Sequence, residues 1–283
     1  MALQGKAVLI TGADGGIGSE TTKALAKKGA TIIMACLDLK DATPVYQDIK
    51  QESGNENIEM MQVDLASLSS IREFARQFSQ KYQQLNVLIN NAGVFCWKRE
   101  ETEDGFEKTI GINYLGHFLL THLMLPILKQ TPGARILNVS SNAYFQGKID
   151  LNDLHLKKKY KGTKAYNSSK LAIVLFTQEL AERLKDTDVA VNALHPGHAP
   201  TNIWNMWPGK WYQALLFIIL RMLMKPTVDA AQNGIYLASS DEVKGITGRY
   251  FDDKKLKELS PQGMDMQLQK GLWELSEKLT GLA

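Results

Sequence analysis

Ala7-Val8-Leu9-Ile10-Thr11-Gly12-Ala13-Asp14-Gly15-Gly16-Ile17-Gly18 is the stretch that decides the fold. Its first five residues form an apolar run long enough for a strand and too short for a helix. Glycines then crowd the place where that strand hands over to the next element, a helix expected over 17–28 with Gly29 as its stop. At such a junction the backbone can approach a pyrophosphate, and the helix presents free N–H groups and a positive dipole end to it. The spacing is Gly-x-x-x-Gly-x-Gly, not the commoner Gly-x-Gly-x-x-Gly. A tight turn also uses glycine, so the nucleotide reading rests on the position straight after a buried strand.

Outward from this turn, strands and helices alternate. Further strands are predicted at 31–35, 58–63, 87–89, 135–139, 189–194 and 248–251. Helices are predicted from near Pro44 to Gly54, over 67–82, 105–129 and 164–185, and once more before the last strand. This alternation implies an α/β fold: one Rossmann-type, doubly wound parallel sheet of about seven strands with helices on both faces. No linker divides the chain, so 1–283 reads as one domain.

Composition narrows the function. Hydrophobic residues at 44% can build a substantial core, and a formal charge of +3 spread along the chain makes no case for nucleic acid. Cys36 and Cys96 are too few for a disulfide framework and fit a reducing, cytoplasmic setting. The start Met1-Ala2-Leu3-Gln4-Gly5-Lys6 carries no secretory pattern, which also discounts the glycosylation matches at Asn138 and Asn167. Lys157-Lys158-Lys159 reads as a solvated loop. His117 and His122 lie five apart with no Cys/His cluster around them, so no metal site is expected and structural roles are preferred for the histidines.

Tyr166-Asn167-Ser168-Ser169-Lys170 lies inside the helix predicted over 164–185. Four residues is about one turn, so phenol and ammonium share a face. A phenol loses its proton near pH 10, and a fixed cation beside it would stabilise the phenolate. Lowering that pKa by two or three units takes about 3–4 kcal/mol of favourable interaction. The spacing alone is common, and an exposed surface pair is its bland reading.

Taken together the motifs resemble the short-chain dehydrogenase/reductase family nearly end to end. Thr11-Gly12 with Gly16 and Gly18 resembles that family's cofactor loop, in which Asp14 and Ile17 also lie. Asp64-Leu65 is similar to its adenine contact, and Asn90-Asn91-Ala92-Gly93 to its motif after the fourth strand. Asn113, Ser141, Tyr166 and Lys170 match its catalytic tetrad in order, and Pro196-Gly197 followed by Thr201 resembles its nicotinamide-side segment. Finer stretches, Asn113-Tyr114-Leu115-Gly116-His117-Phe118 and His195-Pro196-Gly197, are similar to the retinol-dehydrogenase-like branch. The resemblance implies NAD(P)-dependent hydride transfer to or from a lipophilic alcohol or carbonyl of retinoid, steroid, terpenoid or polyprenol type. It implies Tyr166 as acid/base and Lys170 as the cation that lowers its pKa and holds the ribose. Ser141, preferred over Ser140, would bond the substrate oxygen, and Asn113 would bridge through water to Lys170. A homodimer or homotetramer through the long helices is also implied. A non-catalytic nucleotide-sensing module and a C=C double-bond reductase are the alternatives.

Two features depart from that pattern or extend it. Relatives carry arginine after the second strand to meet the 2′-phosphate of NADP(H). Here Leu37-Asp38 stand there, with Asp14 nearby, and the charge argument favours NAD(H). The segment 204–225 holds three tryptophans and an apolar run, with Lys210, Arg221 and Lys225 falling within roughly 60° of one another on a helix. It reads as a C-terminal apolar lid helix within a substrate segment of about 200–226. Peripheral contact with a membrane surface and a buried packing helix compete with that reading.

Overall fold

All five residues of β1 (Ala7–Thr11) are buried, because both faces of the strand are covered. Ala7 and Leu9 point into one hydrophobic core, Val8 and Ile10 into another on the opposite side. The computed structural model describes residues 3–197 and 227–283. Thr201 and the lid segment read at 204–225 therefore lie outside the described residues.

The sheet is built from β1, β2 (Thr31–Cys36), β3 (Ile58–Gln62), β4 (Val87–Asn90), β5 (Arg135–Val139), β6 (Ala190–His195), β7 (Arg249–Asp252) and β8 (Lys255–Lys257). Their order is β3-β2-β1-β4-β5-β6-β7-β8. The first seven run parallel and β8 is antiparallel to β7. From β1 the chain winds to β2 and β3 on one side, then crosses to β4 on the other. That reversal opens a crevice beyond the carboxyl ends of β1 and β4, where open α/β sheets bind ligands.

The helices are α1 (Gly16–Lys27), α2 (Leu39–Ser53), α3 (Leu68–Lys81), α4 (Lys108–Gln130), α5 (Gly162–Arg183), α6 (Thr227–Ser239) and α7 (Met266–Thr280). One core takes Leu25, Ile49 and Leu237 from α1, α2 and α6. The other takes Phe74, Phe118, Phe176 and Trp273 from α3, α4, α5 and α7. Helix α4 is π-helical across Gly111–Gly116. It is long and apolar enough to cross a bilayer, but 67% of its most apolar window is buried inside the protein, as a core helix requires.

Three elements differ from the sequence reading. Helix α2 starts at Leu39, well before Pro44, because the Asp38 carboxylate caps it by accepting from Lys40 N and Asp41 N at 2.7 and 3.1 Å. An eighth strand follows a tight turn in which Asp253 and Lys254 both have positive φ, 51° and 62°. Helix α7 was not anticipated. Its Trp273 packs edge-on against Phe118 at 5.2 Å and under the Arg183 guanidinium at 4.1 Å. Ser276 Oγ meets Tyr114 Oη at 2.7 Å, and Arg72 donates to Thr280 O at 2.7 Å. Helix α7 thus packs across α4 and α5.

Candidate active site

The turn after β1 is shaped by close approach. Gly12 has φ +61°, and a Cβ on Gly18 would stand 2.0 Å from Gly12 O, so α1 reaches the turn only without a side chain there. Asn91 Nδ2 donates to Thr11 O and Gly12 O at 2.8 and 3.2 Å, which pins the turn to the end of β4. Thr11 Oγ1 accepts from Asn91 N and Ala92 N at 2.9 and 3.0 Å. Helix α1 begins at Gly15 without a side-chain cap and has no acidic residue in its first turn. Its N–H groups therefore remain for an anionic ligand. Ile17 packs on the core beneath. The glycine cradle and the uncapped helix start fit a dinucleotide pyrophosphate.

The other expected cofactor positions ring the same end of the sheet. At the end of β2, Leu37 is 62% exposed. Asp38 serves as the α2 cap, so that role occupies the carboxylate read as a cofactor contact. Burial, together with the nearby Asp14 carboxylate, pushes the Cys36 thiol pKa up. Asp64 Oδ1 accepts from Ala66 N at 2.8 Å, and Leu65 is buried against the aromatic core. Gly93 lies where a Cβ would sit 3.7 Å from Lys170 Nζ. Pro196 and Gly197 follow β6, Gly197 with φ +96° beside Ala230 of α6.

Asn113, Ser141, Tyr166 and Lys170 come together at this crevice from α4, the turn after β5, and α5. Tyr166 is half-buried, with the Ser141 hydroxyl close enough to pull its phenol pKa down. Lys170 is buried, with Nζ 5.5 Å from the Tyr166 ring centre and donating to Val139 O at 3.0 Å. Ser140 Oγ donates to Lys170 O at 2.9 Å, so of the two adjacent serines it is Ser141 that faces the phenol.

Burial pushes the Tyr166 phenol up to about 12, against a downward pull from Ser141. Burial likewise lowers Lys170 to about 8, because each charged form loses water faster than it gains partners. Asn113 Oδ1 accepts from Val94 N at 2.7 Å, and its Nδ2 donates to Val94 O and Ser169 Oγ, both at 3.0 Å. The carboxamide ties the loop after β4 to α5.

Residues 6–209 match the family described as short chain dehydrogenase. The chain belongs to the short-chain dehydrogenase family. It is 43% identical over 285 residues to mouse (Mus musculus) retinol dehydrogenase 13, covering 99% of this chain and 85% of that protein. Among solved structures, an uncharacterized protein from Mycobacterium paratuberculosis superposes with TM-score 0.80 at 33% identity, covering 98% of this chain and 94% of that one. Pseudomonas aeruginosa RhlG in complex with NADP shares the fold, with TM-score 0.71 at 23% identity over 88% of this chain and 95% of that one. This dehydrogenase is thus a retinol-dehydrogenase-like, nicotinamide-dependent oxidoreductase, and the non-catalytic module is set aside.

The dehydrogenase has site neighbours that sequence reasoning did not single out. Phe95, half-buried, stands 5.6 Å from the Tyr166 ring and packs at 4.6 Å on Trp97, so an aromatic pair begins beside the phenol ring. Their signal was a run of large apolar residues directly after Asn-Asn-Ala-Gly. His117 is buried between Thr11 and Asn113. Among the described residues no cluster of ligating side chains could hold a metal ion.

Proposed function

We propose that this dehydrogenase moves a hydride between nicotinamide and a lipophilic alcohol or carbonyl, with Tyr166 as acid/base. The observation that carries the reading is the placement of the Tyr166 ring between the Lys170 amine, 5.5 Å from its centre, and Phe95, 5.6 Å away, with the Ser141 hydroxyl close enough to pull the phenol pKa down. The bound dinucleotide supplies the hydride donor or acceptor. Tyr166 Oη passes the proton to the substrate oxygen in reduction and takes it in oxidation. Ser141 Oγ hydrogen-bonds that oxygen and steadies charge developing on it. Lys170, lowered to about 8, is still about nine-tenths protonated at pH 7, so the phenol has a cation on its ring face when its proton leaves. Asn113 acts as a positioning residue through Val94 and Ser169.

The aromatic surroundings support a greasy substrate: Phe95 lies against the Tyr166 ring and Trp97 packs on Phe95, half-buried ring area next to the acid/base residue. Similarity to a retinol dehydrogenase supports the same class. For the cofactor we favour NAD(H). Leu37 offers no cation to a 2′-phosphate, and the Asp14 carboxylate sits at the end of β2 beside Cys36. A panel of retinoid, steroid and terpenoid carbonyls and alcohols, assayed with NADH, NADPH and their oxidised forms, tests both parts. Turnover of lipophilic substrates with higher kcat/KM for NAD(H) is expected. Activity confined to hydrophilic carbonyls would overturn the substrate class, and a strong NADPH preference the cofactor choice.

A further inference from the structure

His117 is almost wholly buried, at 4% exposure, and its ring bridges two parts of the site that are far apart in sequence. Nε2 lies 2.9 Å from Thr11 Oγ1, and Nδ1 lies 3.1 Å from Asn113 O. The protonation pattern of this bridge follows from its partners. A carbonyl oxygen only accepts, so Nδ1 must carry a hydrogen. Thr11 Oγ1 already accepts from two backbone N–H groups, Asn91 and Ala92, so its own hydrogen is directed to Nε2. The alternative acceptor for that hydrogen, Ile89 O, is at 3.5 Å. An imidazolium would set a second N–H against a hydroxyl whose acceptor sites are filled, with the Lys170 ammonium adding to the repulsion.

The bridge continues on both sides. Towards the cofactor turn it holds Thr11, whose backbone carbonyl is gripped by Asn91. Towards the phenol, Asn113 donates to Ser169 Oγ, which donates to Tyr166 O at 2.7 Å. His117 also sits where the π-helical turn Gly111–Gly116 returns to α-helix, so its ring braces the carbonyl of a residue inside the irregular turn.

We propose that His117 is a positioning residue: as a neutral Nδ1–H imidazole it clamps the cofactor turn at Thr11 to the Asn113 carbonyl and so sets the dinucleotide floor in register with the Tyr166 helix. Its loss should lower kcat more than it raises the KM of the carbonyl substrate, because ground-state contacts to substrate remain while the reacting groups drift. Misplacement of this kind costs about 10–100-fold in rate.

Two measurements on the full chain test this. Nitrogen-15 NMR of the ring in the wild-type protein should show hydrogen on Nδ1 and none on Nε2, with and without added NAD+. A hydrogen on Nε2, or rapid exchange between tautomers, overturns the proposal without any variant being made. His117→Phe and Thr11→Val should each lower kcat by about 10–100-fold and weaken NAD+ binding, measured by calorimetry. The double variant should be no worse than the worse single one, since both break one clamp. Thr11→Ser, which keeps the hydroxyl, should restore most of the rate. Additive losses, wild-type kcat in His117→Phe, or failure of Thr11→Ser to rescue would each overturn it. If His117→Phe does not fold, His117→Asn and the NMR signature remain decisive.

Discussion

The two faces of the sheet are covered differently. The face under α1, α2 and α6 is packed with aliphatic and small side chains, Leu25, Ala26, Ile49, Ala231 and Leu237 among them, with Phe251 as its buried ring. The face under α3, α4 and α5 is aromatic, with Phe74, Phe78, Tyr114, Phe118 and Phe176 in contact, and a fourth helix, α7, closes over it through Trp273. The thin face carries the start of α1, where small residues let backbone approach a ligand. The thick face carries Asn113, His117, Tyr166 and Lys170. Proton chemistry needs groups held out of water in one geometry, and a helix layer that is itself roofed supplies that rigidity. Cofactor binding needs only an accessible backbone edge. The difference assigns recognition of the dinucleotide to one face and chemistry to the other.

The strongest way to sharpen this division is Tyr166→Phe. Turnover should fall by about 10²–10⁴-fold while calorimetric NAD+ affinity stays near wild type; a retained rate would break the division at its centre. Next comes Trp273→Ala, which should cost about 3–5 kcal/mol in denaturant unfolding, since it removes the ring wedged between Phe118, Phe176 and Arg183. This variant, its α4–α5 surface uncovered, should also self-associate more than the wild type in sedimentation. An unchanged sedimentation profile together with full stability would show that α7 is dispensable. The third test uses pH. Lys170 has its ordinary value near 10.5 when unfolded and about 8 when folded, so below pH 8 folding carries the full cost of desolvating an ammonium. That cost is relieved as pH rises from 8 to 10.5, where the unfolded chain binds the extra proton. Relative to Lys170→Met, the wild type should therefore gain about 3 kcal/mol over that interval; a flat difference would mean the amine is hydrated. The smallest effect is expected from Leu37→Arg on the other side of the molecule. NADPH efficiency should rise about tenfold through a new charge-assisted contact, with the rate on NADH little changed.

Much of the fold was legible because buried parallel strands are short apolar runs, and β1 through β7 announce themselves that way. β8 was not: Lys255-Leu256-Lys257 is three residues long and charged, and its turn residues Asp253 and Lys254 lack the usual glycine. Helix α7 was missed although Leu268, Leu272, Trp273, Leu275 and Leu279 recur at helical spacing between an Asp265 cap and Gly281. The start of α2 is not legible from Pro44, because the cap lies at Asp38. In the site, the tetrad's identities were readable from motif order, but the partners of each group were not. Asn113 has three polar neighbours drawn from Val94 and Ser169, contacts that no local spacing reveals. His117 shares this character: a histidine four residues after Asn113 looks like any core histidine until Thr11, 106 positions earlier, is seen against its ring. The burial of Tyr166 that pushes its pKa up was also hidden, because no local spacing tells how much water a site excludes.

The sheet's last strand has a consequence for how these molecules behave when crowded. Lys255, Leu256 and Lys257 are all exposed along the rim of β8. A neighbouring molecule seeking to extend the ladder there would have to bring its own rim alongside, setting ammonium against ammonium over a contact only three residues long. Repulsion of that kind is a guard against fibrous stacking, so concentrated solutions should stay clear, and they should cloud first when added salt or acetylation mutes those two amines.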